Sequence, residues 1–149
     1  MSLTFIRKNI IVIIFLFFCK TTLYSQSIDS IKYGAGGGFS GLMTYYKIKP
    51  KGVYKGVGSV ENTYQDKAKV CSRKIKVLFK NLSKTIESFP NYIYPSNQYA
   101  FITIYTGQNE YKAVWDVWHM NDKSIPENLL IIEKKINAFI NNLKFVPND

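Results

Sequence analysis

The residues that most often carry out chemistry are few in this chain and poorly placed relative to one another. His119 is the single histidine, next to Trp118 and near Asp116 and Asp122. A hydrolase triad needs a nucleophile set against such an imidazole, and a catalytic zinc site usually takes two or three imidazoles. Glu110 and Asp116 lie at opposite ends of one predicted strand, whereas a glycosidase needs two carboxylates close together. We therefore expect no enzymatic activity, no metal and no cofactor.

The most unusual stretch is the run Gly34-Ala35-Gly36-Gly37-Gly38-Phe39-Ser40-Gly41. Its last six residues match G-x-G-x-x-G, but a dinucleotide site needs a helix after this motif and the residues that follow are typical of a strand. So many glycines are favourable only where the backbone needs positive φ or close approach to another group. We predict a kinked or bulged connection between two strands, with positive φ at one or more of Gly36, Gly37 and Gly38.

This glycine run is also the best candidate for a binding surface, because a backbone with few side chains can enter a cleft on a partner. Phe39 then has two interpretations, an exposed anchor for the partner or an apolar residue that pins the loop to the core. Exposed aromatic rings, drawn from Tyr45, Tyr46, Tyr54, Tyr92, Tyr94 and Trp118, offer a second surface, although strands favour aromatic residues in any case. The predicted binding residues are Gly36, Gly37, Gly38, Phe39, Ser40, Gly41, Tyr92, Tyr94 and Trp118.

The first 25 residues are typical of a secretory signal peptide. Arg7 and Lys8 precede a stretch without polar residues, Ile10 to Phe18, and a small residue, Ser25, precedes the predicted cleavage site. A membrane span would need about 20 apolar residues, so no span is expected in the mature chain. Cys19 follows Phe18, where a lipoprotein signal has a small residue, and lipidation is therefore not expected. The sequence predicts export to the periplasm or the extracellular space.

The mature chain, residues 26–149, is long enough for one domain with one core. The whole chain carries 20 basic and 10 acidic residues, and the leader contains three of the basic ones, which leaves a net charge of +7. Arg73 is the only arginine outside the leader, and this lysine-dominated charge argues against nucleic-acid recognition. Cys71 is the only cysteine outside the leader, so an intramolecular disulfide is excluded, and we expect a buried, unreactive thiol.

Alternating apolar and aromatic residues predict strands at 27–33, 42–48 and 53–57, with a weak strand between 62 and 70. Two further strands, 99–105 and 111–118, form a predicted hairpin around Gly107 in which Trp115 points inward and Trp118 outward. The segment from Pro90 to Asn97 is predicted to be a loop.

In two stretches the apolar residues have the spacing of an amphipathic helix. The first has its apolar residues at 75, 78, 79, 82, 86 and 89, with Ser72 as N-cap and Pro90 as the stop. The second begins with a capping box at Ser124-Ile125-Pro126-Glu127 and should run to about Lys144. These elements predict an α+β fold, with a mostly antiparallel sheet of four to five strands and two amphipathic helices packed on one face.

Gly36-Gly37-Gly38-Phe39-Ser40-Gly41, directly after a first strand, resembles the Gly-Gly-Phe-x-Gly signature of emfourin-type proteins, which are small inhibitors of thermolysin-like metalloproteases. A longer pattern also resembles short exported Bacteroidota proteins of unknown function. It includes Leu78-Phe79, Asn97 before Tyr99-Ala100-Phe101-Ile102, and Trp115-Asp116. The resemblance implies protease inhibition. The resemblance to emfourin-type proteins rests on about six residues. The resemblance to the exported Bacteroidota proteins covers most of the mature chain.

The sequence as a whole predicts an exported, non-enzymatic binding protein whose partner is an extracytoplasmic protease or an envelope component. The most specific form of this hypothesis is an inhibitor of thermolysin-type metalloproteases. Two alternatives stay open at this point. One is a module that binds cell-envelope glycans or polyanions through its aromatic residues and lysines, and the other is an enzyme of a type that its motifs do not reveal.

Overall fold

The structure of this protein is a computed structural model, and it describes residues 27–39, 41–58, 66–107, 109–118 and 125–147. The predicted leader with Cys19, together with Ser40, His119, Asp122 and Ser124, lies outside the described residues. None of the helices in the described ranges is long and apolar enough to cross a membrane.

The described chain forms eight strands and two helices. The strands are β1 (Ser30–Gly37), β2 (Met43–Lys49), β3 (Gly52–Gly58), β4 (Asp66–Ala68), β5 (Tyr92–Tyr94), β6 (Gln98–Thr106), β7 (Asn109–Asp116) and β8 (Val146–Pro147). The helices are α1 (Ser72–Ser83) and α2 (Glu127–Ile140), and a 3₁₀ turn at Ile86–Ser88 follows α1. The predicted α+β class is confirmed.

All eight strands join one open sheet in the order β5-β7-β6-β1-β2-β3-β4-β8. The predicted number of four to five strands is therefore wrong. The additional strands are two or three residues long, too short to show an alternating pattern. One of them, β5, lies in the segment from Pro90 to Asn97 that we predicted to be a loop, and it pairs in parallel with β7. The other pairs are antiparallel.

The predicted hairpins are present with small shifts of their ends. β2 and β3 pair from Met43↔Gly58 to Lys49↔Gly52, so Pro50 and Lys51 form the turn between them. β6 and β7 pair from Tyr99↔Asp116 to Thr106↔Asn109, and Gly107 begins the turn with a φ of 56°. Of the weak strand predicted between 62 and 70, residues 66–68 form β4, and residues 62–65 lie outside the described residues.

Both helices exist, but their predicted ends are wrong. Cys71, not Ser72, is the N-cap of α1, in an extended conformation and without a side-chain cap hydrogen bond. This position leaves Cys71 exposed, which contradicts the buried thiol that we expected. Pro126 is the N-cap of α2, without a side-chain cap hydrogen bond, and Ser124, the predicted cap, lies outside the described residues. The helices end at Ser83 and Ile140, earlier than Pro90 and Lys144.

The core lies between the helices and one side of the sheet. Buried apolar residues of α1 and α2, including Phe79 and Ile136, form one cluster with the strand residues Ile31, Ile48 and Ile102. Because side chains alternate along a strand, Lys32, Tyr45, Phe101 and the other residues out of phase with these lie on the opposite side. There, Tyr45, Phe101 and Val114 form a smaller buried cluster that contains no helix residue among those described. We call this side of the sheet the open face.

Candidate functional site

Strand β1 ends within the glycine run, at residues whose backbone conformation only glycine adopts easily. Gly34 to Gly37 belong to β1, so the first half of the run is strand rather than a connection. Gly37 and Gly38 have φ values of 103° and 76°, which confirms the predicted positive φ, and Gly41 has a φ of 61°. At Gly37 a Cβ atom would overlap the carbonyl oxygen of Asn97. Glycine is therefore required there on two independent grounds.

Hydrogen bonds hold this loop against the start of β6. The Gly38 N–H donates to the Asn97 carbonyl oxygen at 2.6 Å, and the Gly41 N–H donates to the Gly38 carbonyl oxygen at 3.2 Å. These contacts close the loop on itself and tie it to the neighbouring strand. The loop is thus joined to strands of the sheet at both ends.

Phe39 lies at the tip of this loop with its side chain fully in solvent. Its relative exposure is 109%, which is the value of a residue with no neighbours. The interpretation in which Phe39 pins the loop to the core is therefore wrong. Leu42, the residue directly before β2, is also exposed. Large apolar side chains exposed together on a small protein often mark an interaction site.

Two of the predicted aromatic residues lie at the same end of the sheet as the loop. Trp118 follows β7 and is 75% exposed, and its backbone N–H donates to Asp116 Oδ1 at 2.8 Å. Tyr94, at the end of β5, pairs with Trp115 and is exposed. Strand β5 is three places from β1 in the sheet and β7 is two, so Tyr94 begins about 15 Å and Trp118 about 10 Å from the glycine run. We call the exposed set Phe39, Leu42, Tyr94 and Trp118 the loop-end surface.

The other aromatic candidates do not join this surface. Tyr92 is half-buried against the core, and its ring packs against that of Tyr94, with the two centroids 4.6 Å apart. Tyr45 is fully buried on the open face, and Tyr46 packs against the core on the other side. Tyr54 lies on the open face, two strands from the glycine run. The predicted aromatic surface is thus divided between the two sides of the sheet and the loop end.

Sequence reasoning missed Leu42 and Asn97 as parts of this region. Leu42 was assigned to a strand, where it would have been half-buried, but β2 begins one residue later. Asn97 acts through its backbone carbonyl, which carries no signal in the residue type. The exposure of Leu42 depends on where the loop ends, and a pattern of apolar residues places such an end only to within a few residues.

The described residues contain one buried carboxylic acid with a raised pKa, and it lies in the core. Tyr33 donates a hydrogen bond to Glu133 Oε1 at 3.2 Å, between β1 and α2. Burial raises the pKa of Glu133, while the bond from Tyr33 lowers it. Burial and the neighbouring Glu133 charge raise the pKa of Tyr33. Within the described ranges, no three His, Cys, Asp or Glu side chains are grouped so that they could hold a metal ion.

Comparison of the chain with protein-family models and with curated protein sequences found no match. The function is therefore inferred from the molecule's own surface. Within the described chain, the loop-end surface is where a constrained backbone and several large exposed apolar side chains occur together.

Proposed function

We propose that this protein is an exported binding protein without enzymatic activity of its own, and that the loop-end surface is its contact with a partner protein. Its specific form is the inhibition of a thermolysin-type metalloprotease outside the cytoplasm, which is the activity that the resemblance of residues 36–41 implies. The observation that carries the proposal is the full exposure of Phe39 on a loop with a constrained backbone.

Phe39 has the physical properties of an interface anchor. Burial of a phenylalanine side chain in a partner's pocket would contribute about 1.5–3 kcal/mol. The hydrogen bonds of Gly38 and Gly41 fix the loop before binding, so less conformational entropy is lost when the complex forms. A constrained loop with one large apolar side chain at its tip is suited to insertion into a cleft such as the substrate cleft of a protease.

The neighbouring residues enlarge this contact in a way that suits a protein partner. Tyr94 and Trp118 present aromatic rings with polar edges, and such rings dominate the energetics of many interfaces. Strand pairing with Trp115 holds the backbone of Tyr94, and the hydrogen bond to Asp116 holds the backbone of Trp118. Phe39 would then occupy a pocket, while Leu42 and Trp118 would exclude water around it.

The direct test is to titrate the purified protein against a panel of thermolysin-like proteases and to compare it with the Phe39→Ala variant. We expect Phe39→Ala to weaken inhibition by more than about 1 kcal/mol, roughly fivefold in the inhibition constant, and to leave the melting temperature nearly unchanged. Ile131→Ala is the matched control, because Ile131 is also an exposed apolar residue but lies on α2.

Two results would contradict the proposal at different points. If the unchanged protein inhibits no protease of the panel, the protease form of the proposal is wrong. If it inhibits one and Phe39→Ala inhibits equally well after correction for the folded fraction, the loop-end surface is not the contact. The same conclusion follows if Phe39→Ala weakens inhibition no more than Ile131→Ala does.

A further inference from the structure

The open face of the sheet contains a cavity of about 490 Å³ that the loop-end surface does not use. It spans the middle strands of the sheet, from β2 across β1 and β6 to β7 and β5. This volume falls in the range of pockets that hold small ligands, about 300–1,000 Å³. Its floor carries an unusual feature for such a face, a lysine that is almost completely buried.

This lysine, Lys32, is only 7% exposed and lines the cavity. Its Nζ lies 4.9 Å from the ring centroid of Tyr45 and 5.6 Å from that of Phe101. Aromatic faces stabilise an ammonium group that has lost water, and they also fix its position. A lysine is seldom buried to this extent without a compensating interaction, so a fixed positive charge is built into the floor of the cavity.

A second lysine lies across the cavity in the same row of the sheet. Lys32 is paired with Thr103 of β6, and Thr103 is paired with Lys112 of β7. All three line the cavity, and the backbones of the two lysines are about 10 Å apart because two strand spacings separate them. A carboxylate above Thr103 would lie between the two lysine side chains and next to a hydroxyl group. This row therefore matches the size and charge of a single carboxylate.

The rest of the lining matches the body of a sugar ring. Phe101, Tyr99 and Tyr105 supply aromatic surface for the apolar side of a ring, and the tyrosines add polar edges. Glu110 lies at the end of the cavity, two pairs further along the β6–β7 hairpin than Thr103 and Lys112, where it would accept hydrogen bonds from sugar hydroxyl groups. Glu110 would repel an anion placed beside it. The carboxylate of a ligand is thus directed to the Lys32 end of the cavity.

We propose that this cavity binds a carboxylated sugar, with the carboxylate between Lys32 and Lys112 and the ring against Phe101. The site is independent of the loop-end surface, because it uses the side chains of the open face and no residue of the glycine loop. The proposal can therefore be true or false whatever the outcome of the protease titration.

The test is an NMR titration of the whole protein with glucuronate, with glucose as the neutral sugar of the same shape and inorganic phosphate as an anion without a ring. Lys32→Met removes the charge and keeps most of the apolar stem. Lys49→Met is the matched control, because Lys49 also lies over an aromatic ring, 5.6 Å from the Tyr54 centroid, but outside the cavity.

We expect glucuronate to give saturable shifts at the amides of β6 and β7, and glucose and phosphate to bind at least about tenfold more weakly. Lys32→Met should weaken glucuronate binding about tenfold or more, while Lys49→Met should leave it unchanged. Lys112→Met, at an exposed position, repeats the test if Lys32→Met does not fold. The proposal is overturned if glucuronate gives no saturable shift, if glucose or phosphate binds equally well, or if Lys49→Met weakens binding as much as the cavity variants do.

Discussion

Gly37 is held in a backbone conformation that residues with side chains rarely adopt, and it lies directly against the carbonyl group of Asn97. Gly37→Ala should lower the free energy of unfolding by about 1–3 kcal/mol, since the new Cβ meets backbone atoms that cannot easily move. Gly41→Ala is the control, because Gly41 also has positive φ but has open space around its Cβ position. Its cost should be about 1–2 kcal/mol, from the positive φ alone. Urea unfolding measures both, and equal losses would show that the contact with Asn97 is unimportant.

The Tyr33–Glu133 pair makes stability depend on pH. Burial raises the pKa of Glu133, so the folded protein holds this proton more tightly than the unfolded chain does. The resulting stability is fully present below the unfolded pKa, about 4.3, and is lost as the pH rises through the folded pKa. Glu133→Gln imitates the protonated acid. It should therefore unfold at a higher urea concentration than the unchanged protein at pH 7, and the difference should vanish near pH 4.

A control for this prediction comes from the same helix. Glu127→Gln removes a charge from the exposed first turn of α2 and should give no gain in stability at neutral pH, because a negative charge near a helix N-terminus is favourable. If Glu133→Gln were less stable than the unchanged protein at pH 7, the Tyr33 hydrogen bond would outweigh the cost of burying the charge, and the assigned direction would be wrong.

At the scale of elements, the longer strands and both helices could be predicted from the periodicity of apolar residues. The short strands could not. β5 has only three residues between two prolines, and its partner β7 follows later in the chain, so pairing rather than local preference makes it a strand. The helix starts were misplaced by one or two residues for a related reason. Cap residues such as Ser72 favour a start, but the packing of α1 decides which turn is the first.

The candidate site was predictable to a similar degree. The positive φ of the glycine run followed from composition, whereas the exposure of Phe39 did not, because a phenylalanine beside glycines suits a core contact as well as a binding contact. The cavity on the open face was hidden for another reason. Lys32, Thr103 and Lys112 come from three strands, and only their register in the sheet brings them into one row.

The packing of α1 on the sheet can be tested by comparing the stability of variants at a buried and at an exposed position of this helix. Phe79 is buried with Ile75 and Leu82 in the main core, so Phe79→Ala should cost about 3–5 kcal/mol through lost contacts and a cavity. Val77 is exposed on the same helix, and Val77→Ala should change stability by less than about 0.5 kcal/mol. Denaturant unfolding of the two variants separates the faces. A loss of less than 1 kcal/mol for Phe79→Ala would contradict the packing of α1.

At the scale of the whole molecule, the two sides of the sheet are packed differently. One side holds the cluster that joins both helices to the central strands. The other carries lysines and aromatic rings, among them Lys67, which lies 5.5 Å from the Tyr54 centroid. This division allows the two proposed surfaces to change in sequence without loss of the core.

Because one cluster joins both helices to the central strands, the protein should unfold in a single cooperative transition. The two tryptophans allow a direct measurement, since Trp115 is 0% exposed and Trp118 lies in solvent. In Trp118→Phe, the emission of Trp115 should shift to the red at the same urea concentration at which the far-ultraviolet circular dichroism is lost. In Trp115→Phe, emission from Trp118 should change little on unfolding, because its ring is solvated in both states. Two separate transitions in Trp118→Phe would show that the sheet and helices unfold independently, and would contradict the single core.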